Sequence, residues 1–295
     1  MINKGLSRLG AFFLYLVSLL PFWFLYLISD VLFFILYYVI GYRRKVVQEN
    51  LLHSFPEKSE EERGLIEKKY FKYLADLIME TIKTITISTE ETLRRMTAAN
   101  PEMIEHYFKQ GKSIVAATGH YCNWELGALR FGLATDKKRI AVYKPLSNTV
   151  FDEFFNKSRS RFGVTMVSMK QIFRKMIEHR TELTFSMFAS DQTPVKNEAN
   201  YFTPFLNQPT AVFLGIEKLA QVGDAAVVFC RIDLIKRGYY TGTIVPLVED
   251  PKNSKPGEIT ERHVRYLESI IREKPEYWLW SHRRWKIKPS GVISH

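Results

Sequence analysis

Hydrophobic and polar positions fall along this 295-residue chain in three regimes. From Gly10 to Tyr42 the pattern is almost continuously apolar, with Asp30 the single charge. About 20 apolar residues span a bilayer core, so this stretch predicts one tilted membrane helix or a short hairpin, interrupted at Pro21 and Asp30. Trp23, Tyr26, Tyr37 and Tyr38 suit headgroup depth, and Arg43, Arg44 and Lys45 follow at once. The bias of cations toward the inner side then assigns the rest of the chain to the cytoplasm. A cleaved signal peptide fits poorly, because the stretch is too long and lacks a small-residue cleavage site. A buried helical pair in a soluble protein competes, against the aromatic density and the basic stop.

Residues 43–112 read as helical. Val46 to Phe55 ends at Pro56, and Ser59-Glu60-Glu61-Glu62 has the form of a capping box opening a helix to about Thr84. Ser88-Thr89-Glu90-Glu91 is a second box. Asn100-Pro101 predicts an N-cap with proline in the first helical position, and Gly111 closes that helix.

From Ser113 the pattern alternates. Short apolar runs at 113–118, 139–143, 164–167 and 183–189 predict strands, separated by helices near 123–133, 149–161 and 171–180. The segment 210–221 predicts another helix. Residues 225–235 and 239–247 flank Lys236-Arg237-Gly238 as an antiparallel hairpin, and 258–274 is an amphipathic helix ending at Pro275. Strands alternating with helices imply an α/β fold with a mainly parallel sheet flanked by helices. The expected organisation is a membrane segment over 1–42, a helical lead-in over 43–112 and an α/β domain over 113–295.

Net charge of +11 calls for an anionic partner: phosphate, nucleic acid, an acidic protein or a membrane surface. Cys122 and Cys230 form no framework and have no metal-ligand spacing, which fits a reducing compartment.

The most informative residues are His120 and Glu125, in Thr118-Gly119-His120-Tyr121-Cys122-Asn123-Trp124-Glu125. The strand before and the helix after place His120 in a strand-to-helix turn, where α/β folds carry chemistry. Positions five apart on a helix lie about 140° apart, so the two meet only if His120 sits in the turn. The carboxylate then fixes the imidazole tautomer and stabilises the imidazolium as the His takes a proton. For an isolated pair at this spacing, a half-buried His beside a surface Glu is the commoner arrangement, so neighbouring segments decide.

Four such segments stand out. Lys144 follows a strand end and suits a ligand phosphate, or simply solvent. Arg159 and Arg161 satisfy a helix dipole or grip a phosphate. Asp191-Gln192 follows another strand, and since parallel strands end on one edge, His120, Lys144 and Asp191 should be neighbours there. Asp191 in a turn or cap role is the alternative. Last, residues 276–286 interleave Tyr277, Trp278, Trp280 and Trp285 with His282, Arg283, Arg284 and Lys286, which reads as nucleic-acid binding, an anionic-lipid anchor or an ordinary surface strand. The apolar N-terminus favours lipid. No G-x-S-x-G, phosphate-loop or H-E-x-x-H pattern occurs, and His263 and His282 have no third ligand at metal-like spacing.

Together these segments resemble the late acyltransferases of bacterial lipid A biosynthesis (lauroyl- and myristoyl-type), within the lysophospholipid acyltransferase superfamily. The resemblance rests on the apolar N-terminus with Tyr42-Arg43-Arg44-Lys45-Val46-Val47-Gln48-Glu49-Asn50-Leu51, on Ser54-Phe55-Pro56, on His120 to Glu125, on Asp191-Gln192, on 205–210 and on 277–286. Glu125 stands where many superfamily members have Asp. The resemblance implies a glycerolipid acyltransferase-like fold and an O-acyltransferase at the bacterial inner membrane, with its catalytic domain on the cytoplasmic side. His120 is the implied general base, with Glu125 as its partner. The donor is an acyl thioester on acyl carrier protein or coenzyme A, and the acceptor a hydroxyl of a lipid A precursor. Backbone amides near Cys122–Asn123 are candidates to stabilise the oxyanion. Asn123, Lys144, Arg159, Arg161, Asp191, Gln192, His282, Arg283 and Arg284 are candidate substrate contacts. No metal, cofactor or nucleic acid is called for. Another glycolipid or phospholipid acceptor, or a non-catalytic membrane protein binding anionic lipid, are the competing readings.

Overall fold

A computed structural model of the chain describes residues 4–195 and 199–289. The apolar N-terminus forms two helices, α1 (Lys4–Leu19) and α2 (Phe22–Phe34), the second continuing as a π-helical turn over Ile35–Val39. The break falls at Pro21, which has no amide hydrogen to continue α1 and adopts an extended conformation before α2. Among the described residues, one helical stretch, Phe22–Val39, is long and apolar enough to cross a membrane.

The lead-in contains α3 (Arg44–Ser54), α4 (Glu60–Lys83), α5 (Thr89–Arg95) and α6 (Glu102–Lys109). Ser59 and Glu62 form the expected reciprocal box at the start of α4. At α5 only half of the second box is made: Ser88 caps the Glu91 amide, while the Glu91 carboxylate turns to Arg94 and Arg95. Asn100 does not cap α6. Its side chain instead brackets Ile244, donating to the carbonyl at 2.8 Å and accepting from the amide at 2.9 Å.

The sheet begins inside this lead-in, where Met96–Ala98 forms a short strand, β1. It continues with β2 (Ile114–Thr118), β3 (Lys138–Tyr143), β4 (Thr165–Ser168), β5 (Thr184–Ala189), β8 (Ala226–Lys236) and β9 (Tyr239–Val248). The order is β1-β9-β8-β2-β5-β3-β4, and only the β8–β9 pair is antiparallel. The fold is thus α/β with a mainly parallel sheet flanked by helices. Helices α7 (Trp124–Phe131), α8 (Thr149–Arg159), α9 (Ile172–Glu178), α10 (Gly215–Gly223) and α11 (Glu258–Glu273) cover it.

Strand β2 is buried throughout, and its alternate residues serve two cores. Val115 and Ala117 pack with α3, α4, α10 and α11, whereas Ile114 and Ala116 pack with α6 and α7.

Two further elements differ from the sequence pattern. Residues 210–212 are not helical: Gln208–Val212 (β7) pairs antiparallel with Tyr201–Phe205 (β6), and the helix starts only at Gly215. The connecting Leu206 and Asn207 both have positive φ, a hairpin turn made without the glycine that would announce it. The 277–286 block is neither a surface strand nor an aromatic lipid anchor, because Trp278 and Trp280 are among the most buried side chains.

Candidate functional site

Parallel register dictates the site. Thr118 of β2 pairs with Ala189 of β5, and the Ser190 amide extends the ladder to the Thr118 carbonyl. Two residues beyond each strand, His120 and Asp191 therefore arrive side by side. His120 Nδ1 lies 2.6 Å from Asp191 Oδ1, and the His120 amide donates to Oδ2 at 2.8 Å. The residue before must be small: a Cβ on Gly119 would lie 2.8 Å from Leu267 Cδ1 and 3.4 Å from Asp191 Oδ2.

The buried aromatic block completes the pair. Trp278 donates its indole N–H to Asp191 Oδ2 at 2.8 Å. Its backbone zips along the His turn: Leu279 donates to the His120 carbonyl, and Cys122 donates to the Tyr277 carbonyl at 3.0 Å. Cys122 accepts a positive φ of 53° to do so. Its amide is thereby engaged, so it is not a free oxyanion donor as expected.

Electrostatics follow from this geometry. Burial resists charge on Asp191, but His120, its amide and the Trp278 indole overcome that and hold the carboxyl at about 2. Burial also resists charge on His120. The Asp191 carboxylate, with Glu125 behind it, outweighs the penalty and raises the imidazole above its ordinary range. Ionised Asp191 has only acceptors, so the shared proton of the neutral ring sits on Nδ1. Nε2 then carries the lone pair, and the Gln192 amide nitrogen faces it at 3.1 Å. The ring keeps 18% exposure, enough to meet a substrate.

Glu125 is placed differently from the sequence expectation. The carboxylate hydrogen-bonded to the His120 ring is Asp191, while Glu125 forms a two-pronged ion pair with Arg159, at 2.9 Å from Nε and 2.5 Å from Nη2. Glu125 acts on His120 through its field. Asn123 is fully buried and structural: its oxygen caps the Leu126 amide, and its nitrogen donates to Glu80 at 2.6 Å. Glu80, from α4, also receives the hydroxyls of Tyr26 and Tyr240. The sequence pattern does not mark Glu80, and it marks Trp278 only within the aromatic and cationic block, not as a partner of Asp191, since both reach the site from elements remote in the chain.

The remaining candidates divide. Arg161 donates to the carbonyls of Ile85 and Ile87, so it ties a loop. Arg284 is buried, donates to the Ala211 carbonyl, and is lowered to about 10 by burial. His282 accepts from the Thr193 amide at 3.3 Å and is pushed down to about 4 by burial, hence neutral near pH 7. Lys144 lies exposed past β3. Arg283 is exposed and, with Lys286, Lys288 and His53, lines a cavity of mixed character beside α3.

An apolar cavity opens beside the histidine. Trp124, whose ring stands edge-on 5.0 Å from that of His120, lines it together with Thr118, Phe131, Met187 and Ile232. It runs over β8 and β9 to Ala98 and Gly242 at the β1 edge and has a volume of about 100 Å³. No cluster of metal-ligating side chains occurs among the described residues.

The fold and these contacts define an α/β protein carrying a histidine–carboxylate pair at the strand ends of a mainly parallel sheet, close to an apolar cavity. The family described as bacterial lipid A biosynthesis acyltransferase matches residues 1–287, and the chain belongs to it. It is therefore an enzyme that transfers acyl groups. It is 26% identical over 257 residues to the lipid A biosynthesis lauroyltransferase of Escherichia coli K12, covering 85% of this chain and 82% of that one. It is 26% identical over 279 residues to a lipid A biosynthesis acyltransferase of Haemophilus influenzae, covering 92% and 85%. Identity to the lipid A biosynthesis palmitoleoyltransferase of Escherichia coli K12 is 22% over 256 residues, covering 85% and 81%.

Proposed function

We propose that this protein moves a fatty acyl chain from an acyl thioester to a hydroxyl of a lipid A precursor, with His120 as general base. The observation that carries this reading is the His120–Asp191 pair, with Nδ1 tied to a carboxylate, Nε2 facing the Gln192 side chain, and the ring set against Trp124, which lines an apolar cavity. The acceptor hydroxyl takes the place of the Gln192 amide at Nε2 and gives its proton to the ring. Its oxygen forms the new bond to the thioester carbon, the carbon–sulfur bond breaks, and the departing thiolate recovers the proton from His120. Asp191 holds the tautomer and shields the imidazolium, and Glu125, gripped by Arg159, adds a second negative charge nearby. Positioned general-base catalysis contributes roughly 100- to 10,000-fold.

The acyl chain enters the cavity lined by Trp124, Phe131, Met187 and Ile232, whose walls are mostly apolar. The exposed cations Arg283, Lys286 and Lys288 suit the acidic surface of an acyl carrier protein or the phosphates of the acceptor. The exposed apolar faces of α1 and α2 support membrane attachment, the cations at 43–45 suit an anionic membrane surface, and the free thiols of Cys122 and Cys230 suit the cytoplasmic side of a bacterial inner membrane.

The test is an assay of purified protein with carrier-protein and coenzyme A thioesters, offered a lipid A precursor or a lysophospholipid. An added acyl mass on the precursor supports the proposal. Transfer only to the lysophospholipid reassigns the acceptor.

A further inference from the structure

We infer that α1 and α2 lie in the plane of a single membrane leaflet, docked along their length on the catalytic domain, rather than crossing the bilayer. This inference rests on the membrane attachment proposed above and concerns its geometry.

The polarity of both helices is the reverse of that of a helix covering a soluble core. Helix α1 turns Ser7, Ala11 and Ser18 inward and exposes Leu6, Leu9, Phe13, Leu16 and Leu19. Helix α2 exposes Trp23, Leu27, Val31 and Phe34, each more than half exposed and spaced three or four residues apart along one stripe. Its inward side carries Leu25 and the polar Tyr26 and Ser29, while half-exposed Asp30 lies at the border of the stripe. Tyr26 donates to Glu80 at 2.8 Å, Ser29 donates to Asp76 at 2.6 Å, and Asp30 pairs with Arg237 at 2.7 Å.

These contacts run antiparallel along α4. Phe22 lies under Lys83, Tyr26 meets Glu80, Ser29 meets Asp76, and Tyr37 packs on Phe71. Arg95 stacks over the Phe22 ring at the start of α2, and Arg237 holds its middle through Asp30 and Asp76. Helix α1 is fastened as well: Lys83 donates to the carbonyls of Ser18 and Leu20, and Asn148 donates to Ser7. A crossing by α2 would drag α4, with its buried Asp76, Glu80 and Glu67, into hydrocarbon, or else break every one of these bonds. An in-plane position breaks none and presents the apolar stripe to the acyl chains. Exposed Lys4, Arg8, Arg43 and Lys45 flank the pair at headgroup level. Because Glu80 also receives the Asn123 side chain, one carboxylate separates the leaflet-bound helix from the turn that carries His120.

Depth measurement tests this. Trp23→Cys, Leu27→Cys, Val31→Cys and Phe34→Cys, each in the full chain, are labelled with an environment-sensitive maleimide, with labelled wild type as the blank. The proteins are bound to phosphatidylethanolamine–phosphatidylglycerol vesicles, and quenching by lipids spin-labelled near the headgroup and near the chain end is compared. The four positions span about 16 Å of helix axis. In-plane docking gives one shallow depth at all four. A depth graded along the helix in protein that floats with the vesicles overturns the in-plane geometry and leaves membrane attachment intact. Protein that does not float with vesicles overturns both.

Discussion

Asp191 holds His120 by two atoms at once, accepting from the backbone amide through Oδ2 and meeting ring Nδ1 through Oδ1. The two residues are 71 apart in the chain, and the parallel register of β2 and β5 brings them together. A carboxylate that fixes both the backbone and the ring leaves the imidazole little freedom to turn. Nε2 is thus aimed before any substrate arrives, which lowers the entropic cost of reaching the transition state.

This pairing sets a pH dependence. The base must be neutral, and Asp191 raises the pKa of His120 above the ordinary 6.5 despite burial. The acid limb of kcat/KM is therefore expected above pH 6.5 and should move to lower pH in Asp191→Asn, together with a lower plateau. A limb that stays in place in the variant would separate Asp191 from the titration. Stability follows the same linkage. The raised His120 contributes stability below 6.5 that is lost as pH rises through its folded value. The lowered Asp191 contributes stability above its ordinary 3.8 that is lost as pH falls toward about 2. Melting temperature against pH should flatten in Asp191→Asn.

The Glu125–Arg159 pair is largely buried and two-pronged. Arg159→Ala strands a carboxylate in a low-dielectric site, with an expected loss of about 3–5 kcal/mol in urea unfolding. Arg159→Lys should lose less, since one ammonium keeps the charge without the fork. Combining Arg159→Met with Glu125→Leu should recover much of the stability while leaving turnover low. Recovery of turnover as well would assign the pair a purely structural role.

Chain length should be set at the far end of the apolar cavity. Gly242 faces it from β9, and a Cβ there meets nothing closer than the Thr97 carbonyl at 3.7 Å, so a larger residue is accommodated by the strand. Gly242→Leu fills the end of the slot. The expected result is a shift toward shorter donors, with each excluded methylene costing roughly 10- to 200-fold in relative kcat/KM. Competition between thioesters of several lengths, read by mass spectrometry, checks it. An unchanged preference would place the acyl chain elsewhere.

Much of this arrangement was legible in the chain. Alternation of short apolar runs with helical stretches announces a parallel sheet, and the Ser59–Glu62 box announces α4 where it begins. That His120 and Asp191 lie on one edge also follows from strand order. Which carboxylate reaches the ring does not, because it depends on residue-by-residue register: Thr118 opposite Ala189 gives the place to Asp191 and leaves Glu125 to Arg159. The 210–212 segment reads as the start of a helix because its hairpin turns through Leu206 and Asn207, where Asn207 alone favours a turn and no glycine reinforces it. Aromatics interleaved with cations at 277–286 look like a surface, yet Trp278 and Trp280 are buried because their backbone pairs with the His turn, a long-range contact that leaves no periodicity.

The most direct test compares wild type with His120→Ala in a mass-spectrometric acyl-transfer assay on a lipid A precursor, with circular dichroism confirming that both are folded. The account predicts an added acyl mass with wild type and a loss of roughly 100- to 10,000-fold in the variant. A folded His120→Ala protein as active as wild type would contradict it.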